Sequence, residues 1–277
     1  MQRVFKPEYT ESNCPVCDNL PSAQWKLLRG EATRKCLRCG HIFASPMPTE
    51  ETMIQAYQLP QDEYIRFFKC DYLDVKGCCC NNYNWQFANA ANYVEKVNIL
   101  APEKGRIFEL GCSSGIFLEA AKKSGWQTAG VDPAFVSQKS HDRDKFLNIQ
   151  RSDLFSADLE EGSFDFIFAA SVIEHLTEPK RYLHKLNRLL NPGGGIMIVG
   201  LPNVNSLTIR MNIDRYIGNH PPIHLQYFSK RSITTLLRMS GFNRVTVNSH
   251  GLSETILEFI FNRKGQIYTG DYTNLLN

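Results

Sequence analysis

The segment RIFELGCSSG, residues 106–115, joins the pattern of a buried strand to a turn bounded by two glycines. A stretch with helical spacing, Ile116–Lys123, follows it directly. Glycine is favoured where a backbone bends tightly or approaches a ligand closely, so Gly111 and Gly115 predict a ligand-binding turn between a strand and a helix. Ser113 replaces the middle glycine of the dinucleotide fingerprint, and the Gly-Lys-Ser/Thr of a P-loop is absent, which disfavours both of those sites.

Short apolar runs and helical stretches alternate through the rest of the chain. Further strands are predicted at Thr128–Asp132, Ile149–Asp153, Phe164–Ser171, Ile196–Gly200, Val245–Val247 and Ile256–Phe261. Further helices are predicted at Asn84–Leu100, Pro179–Leu190 and Lys230–Met239. Strands that alternate with helices indicate an α/β fold with a doubly wound, mostly parallel sheet, for which we expect seven strands.

Composition is that of an ordinary globular protein. The 277 residues are 43% hydrophobic and 21% charged, which is sufficient for a proper core. The net charge of +3 is too balanced for a protein that binds nucleic acid through phosphate neutralisation alone. Residues 1–10 lack the apolar region of a secretory signal, and no apolar run approaches the ~18 residues of a membrane span. We therefore expect a cytoplasmic protein without membrane insertion.

Four of the nine cysteines form two C-x-x-C pairs near the N-terminus. Cys14 and Cys17 are separated by 18 residues from Cys36 and Cys39. This spacing predicts a zinc ribbon, in which four thiolates hold one structural zinc ion and the metal supplies folding energy that so small a segment lacks. Cys78–Cys80 have no complementary pair and are expected to be free or buried.

Two prolines around Met47 mark the end of this module. The predicted division is a zinc ribbon at 1–45, a helical connecting or lid segment at 46–100 and the sheet-bearing domain at 101–277. Thr49 is a candidate helix N-cap, because Glu50 and Glu51 follow it in the first turn, where the helix dipole favours acids.

The order of motifs after residue 90 resembles that of class I S-adenosylmethionine-dependent methyltransferases. Motif I of that family, E/D-x-G-x-G/S-x-G, is matched at Glu109, Gly111, Ser113 and Gly115. The segments 165–176 and 189–194 resemble the family's fourth-strand region and its L-x-P-G-G turn. The resemblance covers about residues 90–262 and implies a Rossmann-like methyltransferase fold with S-adenosylmethionine as cofactor.

The resemblance also implies individual roles. Asp132 stands where the family holds the two ribose hydroxyls, and Asp153 and Leu154 stand where it contacts adenine. Ala170, at the end of the fourth-strand region, completes the expected cofactor-binding residues.

Glu174, His175 and His224 are the expected catalytic residues. In the resembled sugar methyltransferases with a zinc module, the E-H-L segment lies at the acceptor, which implies His175 as general base and Glu174 as a ligand of an acceptor hydroxyl. The alternative for His175 is a packed ring bonded to backbone. His224 belongs to an H-x-x-x-F-S segment that implies a wall of the acceptor pocket or, alternatively, a loop covering the end of the sheet.

A zinc ribbon followed by P-x-P-T-x-E resembles methyltransferases of sugar, polysaccharide and secondary-metabolite pathways. We therefore expect methyl transfer to a small-molecule acceptor, with nucleic acid disfavoured as a partner. The alternative is a ribosomal RNA methyltransferase whose ribbon binds RNA through Arg34, Lys35 and Arg38. A third alternative is a non-enzymatic scaffold, which the intact motif I and Asp132 disfavour. The acceptor and the oligomeric state stay open at this stage.

Overall fold

The computed structural model describes residues 5–20, 22–28, 30–68, 83–134, 141–206, 220–250 and 256–262. Cys70 and the run Cys78–Cys80 lie outside the described residues. Within them, no helix is both long and apolar enough to cross a membrane.

The N-terminal part is built from short antiparallel strands. They are β1 (Tyr9–Thr10), β2 (Ser22–Leu28), β3 (Glu31–Cys36), β4 (Ile42–Ala44) and β5 (Met47–Pro48). Strand β2 pairs with β3 and β3 with β4, whereas β1 pairs with β5. The proline-containing stretch thus takes part in a two-residue strand instead of only ending regular structure.

Three helices lead from this part to the large sheet. They are α1 (Glu50–Tyr57), α2 (Gln61–Phe68) and α3 (Tyr83–Leu100). Thr49 caps α1 as predicted, since its side chain accepts a hydrogen bond from the Thr52 N–H. The second helix was not predicted, because its residues follow no clear sequence signal beyond their aromatic content.

The elements after α3 form an α/β unit, except for the short strand Gln226–Tyr227, which joins the N-terminal sheet. The strands are β6 (Arg106–Leu110), β7 (Gln127–Val131), β8 (Ile149–Gln150), β9 (Phe164–Ala170), β10 (Leu190–Pro202), β11 (Gln226–Tyr227), β12 (Thr246–His250) and β13 (Ile256–Asn262). Its helices are α4 (Ile116–Lys123), α5 (His141–Leu147), α6 (Pro179–Leu189) and α7 (Lys230–Met239).

The main sheet has seven strands in the order β12-β13-β10-β9-β6-β7-β8. The five strands from β10 to β8 are parallel, and β13 runs antiparallel to β10 and to β12. Side chains of the central strands are buried on both faces, as in a sheet covered by helices; Ile107, Phe108, Phe166 and Ile167 have no exposed area. The predicted mostly parallel, seven-stranded α/β fold is confirmed.

Strand β10 begins at Leu190, not at Ile196 as predicted. The Asn-Pro-Gly-Gly-Gly sequence that predicted a turn lies inside the strand, where the register against β9 shifts between Leu190 and Gly195. A Cβ on Gly194 would lie 3.0 Å from the carbonyl oxygen of Phe164. The glycines therefore allow the irregular first part of β10 to lie close to β9. The sequence alone predicted a turn for this part.

A fourth strand joins the N-terminal sheet from far along the chain. Strand β11 pairs antiparallel with β4, with Gln226 opposite Phe43 and Tyr227 opposite Ile42. The sheet order β11-β4-β3-β2 therefore crosses the expected boundary at residue 45. The three-part division stays a prediction, but the ribbon and the large domain share a sheet.

Candidate functional site

The four predicted zinc ligands converge in the structure. The Sγ atoms of Cys14 and Cys39 lie 3.5 Å apart, those of Cys17 and Cys36 lie 3.6 Å apart, and all four lie within 4.8 Å of one another. Sulfur ligands ~2.3 Å from a tetrahedral zinc ion are ~3.8 Å apart, so the cluster has the size that one ion requires. All four thiols are buried and unbridged.

Both C-x-x-C pairs form the same turn. The carbonyl oxygen of Cys14 accepts the N–H of Asp18 at 2.9 Å, and that of Cys36 accepts the N–H of Gly40 at 3.0 Å. Asp18 and Gly40 have left-handed φ angles of 57° and 75°. Backbone N–H groups near the turns donate to the sulfurs of Cys14, Cys17 and Cys39, as the backbone does in zinc knuckles. The residues fit a structural zinc ion.

A cavity of about 410 Å³ lies where β6, β7 and β9 end. Most of the predicted cofactor-binding residues line it, namely Gly111, Ser113, Asp132, Asp153, Leu154 and Ala170. His175 lines it as well. Parallel α/β sheets bind ligands outside the carboxyl ends of their strands, and this volume suits a small molecule.

The two glycines of the turn are required for different reasons. Gly111 has a φ of 71°, and a Cβ there would lie 2.4 Å from Cγ2 of Val172. Gly115 has a φ of 75°, and its Cβ would lie 2.7 Å from Cδ1 of Ile149. Only Gly111 is among the cavity-lining residues, so packing at the start of α4 accounts for Gly115.

Asp132 holds the turn from the end of β7. Its Oδ2 accepts the N–H of Ser113 at 2.6 Å, and its Oδ1 accepts the N–H of Ala134 at 2.8 Å. On the other side, Arg151 donates to the carbonyl oxygen of Ser113 at 2.6 Å and forms a bidentate pair with Asp144. Each carboxylate oxygen of Asp132 keeps acceptor capacity for a further donor.

Asp153 orders the turn after β8. Its Oδ1 accepts the N–H groups of Phe155 and Ser156 at 2.8 Å and 3.1 Å, and its Oδ2 accepts the Ser156 hydroxyl at 2.5 Å. This turn places the buried Leu154 against the cavity. The carboxylate therefore shapes the wall where the family resemblance places adenine.

Glu109 lies behind the turn and is 6% exposed. Its Oε2 has no hydrogen-bond partner among the described residues. Burial, and then the negative charge of Asp132, raise the pKa of Glu109 well above its ordinary value. Glu109 is not among the residues that line the cavity, so the structure does not bring this predicted cofactor-binding residue to the cavity wall.

The short 3-10 helix at Ile173–His175 directly follows β9 and carries two of the expected catalytic residues. Nδ1 of His175 lies 2.7 Å from the carbonyl oxygen of Ile223. A carbonyl only accepts, so Nδ1 donates and Nε2 of the neutral ring carries a lone pair. Burial lowers the pKa of His175, which favours this neutral form. The ring is thus both bonded to backbone and exposed to the cavity.

Glu174 and His224 lie behind His175. Glu174 is 1% exposed, its Oε2 has no hydrogen-bond partner among the described residues, and burial raises its pKa to about 8. The rings of His175 and His224 meet edge to face with centroids 4.8 Å apart. The structure therefore brings the three predicted catalytic residues together, although only His175 lines the cavity.

The wall opposite the sheet is aromatic and was not predicted as part of the site. Tyr57 from α1 and Tyr64 and Phe68 from α2 line the cavity, with ring centroids 4.5 Å apart for Tyr64 and Phe68. The hydroxyl of Tyr182 donates to Glu50 at 2.8 Å and ties α6 to α1. The aromatic residues between 50 and 80 were the available signal, but their direction depends on how α1 and α2 pack.

A buried hydrogen-bond chain connects the ribbon to the site. Nε2 of His41 lies 2.9 Å from Oε1 of Gln226, and Nε2 of Gln226 donates to the carbonyl oxygen of Leu176 at 2.8 Å. Leu176 directly follows His175, and His41 lies two residues after Cys39. Together with the pairing of β4 and β11, these hydrogen bonds hold the loop that carries His224 against the ribbon.

Comparison with known proteins supports the arrangement. Residues 85–247, more than half of the chain, match a family described as a methyltransferase domain. The ubiquinone biosynthesis O-methyltransferase of Azorhizobium caulinodans is 32% identical over 110 residues, which cover 38% of this chain and 43% of that protein. The chain therefore spans less than half the length of that relative.

Two solved structures share the fold. The 1,6-didemethyltoxoflavin-N1-methyltransferase of Burkholderia thailandensis, bound to 1,6-didemethyltoxoflavin and S-adenosylhomocysteine, aligns with a TM-score of 0.55 and 13% identity over 82% of this chain and 97% of that one. A SAM-dependent methyltransferase from Archaeoglobus fulgidus aligns with a TM-score of 0.51 and 16% identity over 64% and 94%. At these identities the likeness concerns the fold, and it confirms the Rossmann-like methyltransferase architecture.

Proposed function

The chain belongs to the family of methyltransferase domains, and we propose that it transfers the methyl group of S-adenosylmethionine to a small-molecule acceptor. The observation that carries this proposal is that Gly111, Asp132 and His175 line one and the same cavity. It joins the expected cofactor turn to a group able to act on an acceptor, as methyl transfer requires.

The cofactor end of the cavity fits S-adenosylmethionine, which supplies the methyl group from a positively charged sulfur. Asp132 would accept the ribose hydroxyls with its remaining lone pairs, and the wall at Asp153 and Leu154 would hold the adenine. Gly111 lets the backbone approach the methionine part.

His175 faces the acceptor end and would activate the acceptor. Its Nε2 lone pair is fixed in direction by the Nδ1 bond to Ile223. A hydroxyl acceptor must lose its proton near the time of transfer, and a correctly placed lone pair supports that loss. The aromatic side chains of Tyr57, Tyr64 and Phe68 line the same cavity and would reduce the access of water to bound reactants.

A small hydroxylated molecule, such as a sugar, a polysaccharide precursor or a secondary metabolite, is the acceptor that we propose. The curated relatives named as ubiquinone biosynthesis O-methyltransferases methylate oxygen by name, which supports a hydroxyl group as the acceptor. We further propose that Cys14, Cys17, Cys36 and Cys39 bind a structural zinc ion.

The test is methyl transfer from labelled S-adenosylmethionine to pools of small metabolites, with ribosomal RNA as a parallel substrate. We expect label in the small-molecule pool. The His175→Ala variant should lose ~100-fold or more of that rate while its affinity for S-adenosylhomocysteine changes little. His184→Ala, on the exposed side of α6, is the matched control. Label found only in RNA would contradict the proposed small-molecule acceptor. A full rate in His175→Ala would contradict the proposed role of His175.

A further inference from the structure

We propose that Glu174, His175 and His224 form a second metal site, which binds a divalent transition-metal ion at the acceptor end of the cavity. The ion would be distinct from the ribbon zinc. Its binding does not depend on the proposed function, whereas its role in methyl transfer rests on that function.

The ligand atoms have the spacing of a metal site. Oε1 of Glu174 lies 3.8 Å from Nε2 of His175, and the ligand atoms of the three residues all lie within 4.8 Å of one another. Two ligands each ~2.1 Å from one ion are between ~3.0 and 4.2 Å apart. The measured separation of 3.8 Å already fits, and three ligand atoms within 4.8 Å of one another can reach one ion through small side-chain rotations.

The protonation of His175 leaves a nitrogen for a cation. The carbonyl oxygen of Ile223 fixes the proton on Nδ1, so the lone pair is on Nε2, the nitrogen that lies 3.8 Å from Oε1 of Glu174. Their separation of 3.8 Å is too long for a hydrogen bond, so Nε2 of His175 and Oε1 of Glu174 do not bond each other directly. A metal ion between them would bind both.

Glu174 supplies an independent observation. The side chain is 1% exposed, and its Oε2 has no partner among the described residues. Burial of an unpartnered carboxylate oxygen is costly, and a bound cation removes that cost. His175 and His224 are only half-buried, so an ion could enter from the cavity side.

The ligand set indicates the class of ion. Two imidazoles and one carboxylate suit Mn²⁺, Fe²⁺, Co²⁺, Ni²⁺ or Zn²⁺ and disfavour Mg²⁺ and Ca²⁺, which prefer oxygen-only sites. Three protein ligands leave positions for an exchangeable oxygen ligand. The same feature distinguishes this site from the closed four-cysteine cluster.

In methyl transfer, we assign the open position to the acceptor hydroxyl. The ion lowers the pKa of the bound hydroxyl, whose proton passes to water. An electron pair of that oxygen then forms the new C–O bond as the C–S bond breaks, and the pair from that bond stays on sulfur. In this scheme His175 is a metal ligand, so the ion and water replace the general-base role that the proposed function gives to His175.

The experiment uses the full chain prepared with one zinc ion per chain, so that the second site stays free, titrates it with Mn²⁺ and follows free Mn²⁺ by electron paramagnetic resonance. We expect one bound Mn²⁺ per chain in addition to one zinc. Glu174→Gln and His224→Asn should each weaken Mn²⁺ binding by at least ~10-fold, because each removes one ligand. His184→Asn, which changes an exposed histidine of α6, should bind Mn²⁺ like the unmodified protein.

Circular dichroism on each variant separates loss of a ligand from loss of fold, and Glu174→Gln preserves the shape of the side chain. Absence of Mn²⁺ binding, or binding that both variants leave unchanged, overturns the site. Mn²⁺ binding without methyl transfer to any acceptor supports the site while contradicting the proposed function. Methyl transfer at full rate after removal of this ion, with the ribbon zinc retained, overturns its catalytic role.

Discussion

At the scale of single residues, Asp132 combines two duties. Its oxygens accept the N–H groups of Ser113 and Ala134, and under the proposed function they also accept the ribose hydroxyls. Asp132→Asn should weaken binding of S-adenosylhomocysteine ~10–100-fold, because an amide offers one oxygen where the carboxylate offers two. Calorimetry measures this change, and Asp142→Asn in α5 is the control. Equal affinities in all three proteins would rule out the ribose role.

Glu109 is predicted to make stability depend on pH. Its pKa in the folded state lies well above its ordinary value of 4.5, so the folded protein keeps a proton that the unfolded chain has lost. Stability of the ligand-free protein should therefore fall as pH rises above 4.5, by at most ~1.4 kcal/mol per pH unit from this group. The fall should end once the folded carboxyl ionises.

Glu109→Gln should remove this slope, because the amide does not ionise. Urea unfolding at several pH values in zinc-containing buffer measures it as the difference between the two proteins. Parallel pH profiles would mean that Glu109 has an ordinary pKa in the folded state.

At the scale of elements, the turn between β6 and α4 depends on its contact with Val172. Gly111→Ala should lower the free energy of unfolding by ~2–5 kcal/mol for two reasons. Alanine tolerates the left-handed φ of 71° less well than glycine, and its methyl group would lie 2.4 Å from a Val172 methyl. Affinity for S-adenosylhomocysteine should fall as well.

The double variant Gly111→Ala, Val172→Ala separates the two causes. Removing the Val172 methyls relieves the clash and should leave only the ~1–2 kcal/mol of the left-handed conformation, apart from the cost of Val172→Ala alone. Chemical denaturation of all four proteins measures the coupling. Additive effects would show that the valine does not restrict the turn.

Elements with strong local signals were predictable from sequence. The strand at 106–110 and the helices at 116–123 and 230–239 agree with the predicted bounds. The start of strand β10 was predicted wrongly, because Pro192 and the glycines after it indicate a turn when considered alone, whereas pairing with β9 makes them part of the strand. Helix α2 was not predicted, because its packing against neighbouring helices decides its conformation.

At the scale of the whole molecule, the zinc ribbon is predicted to stabilise more than itself. Cys14→Ser should reduce zinc from about one ion per chain to nearly none and lower the free energy of unfolding by ~3–5 kcal/mol, because β4 belongs to a sheet that β11 completes. Elemental analysis and denaturation measure both effects.

The control for zinc is Cys112→Ala, which removes a buried thiol outside the cluster and should retain the metal. A zinc-free wild-type protein prepared without chelators would contradict the ribbon assignment. Zinc loss without any effect on stability would contradict the coupling through β11.

The site was predictable in its parts but not in its assembly. Motif I and Asp132 were found because the family's spacing is local, and the cysteine pairs because their chemistry is specific. That His224 meets Glu174 and His175 required the family resemblance, since 48 residues separate Ile223 from its partner His175. The aromatic wall from Tyr57 to Phe68 was missed, because its direction comes from tertiary packing.

The pairing of β4 with β11 also has a consequence for synthesis on the ribosome. Its two strands lie about 180 residues apart in the chain, so at ~5–20 residues per second β4 waits on the order of 10–40 s for its partner. During this time β4 is an open edge that other nascent chains can join. The ribbon can take up zinc early, but its last strand arrives only after about 180 further residues have been translated. A chaperone would therefore matter most during this interval.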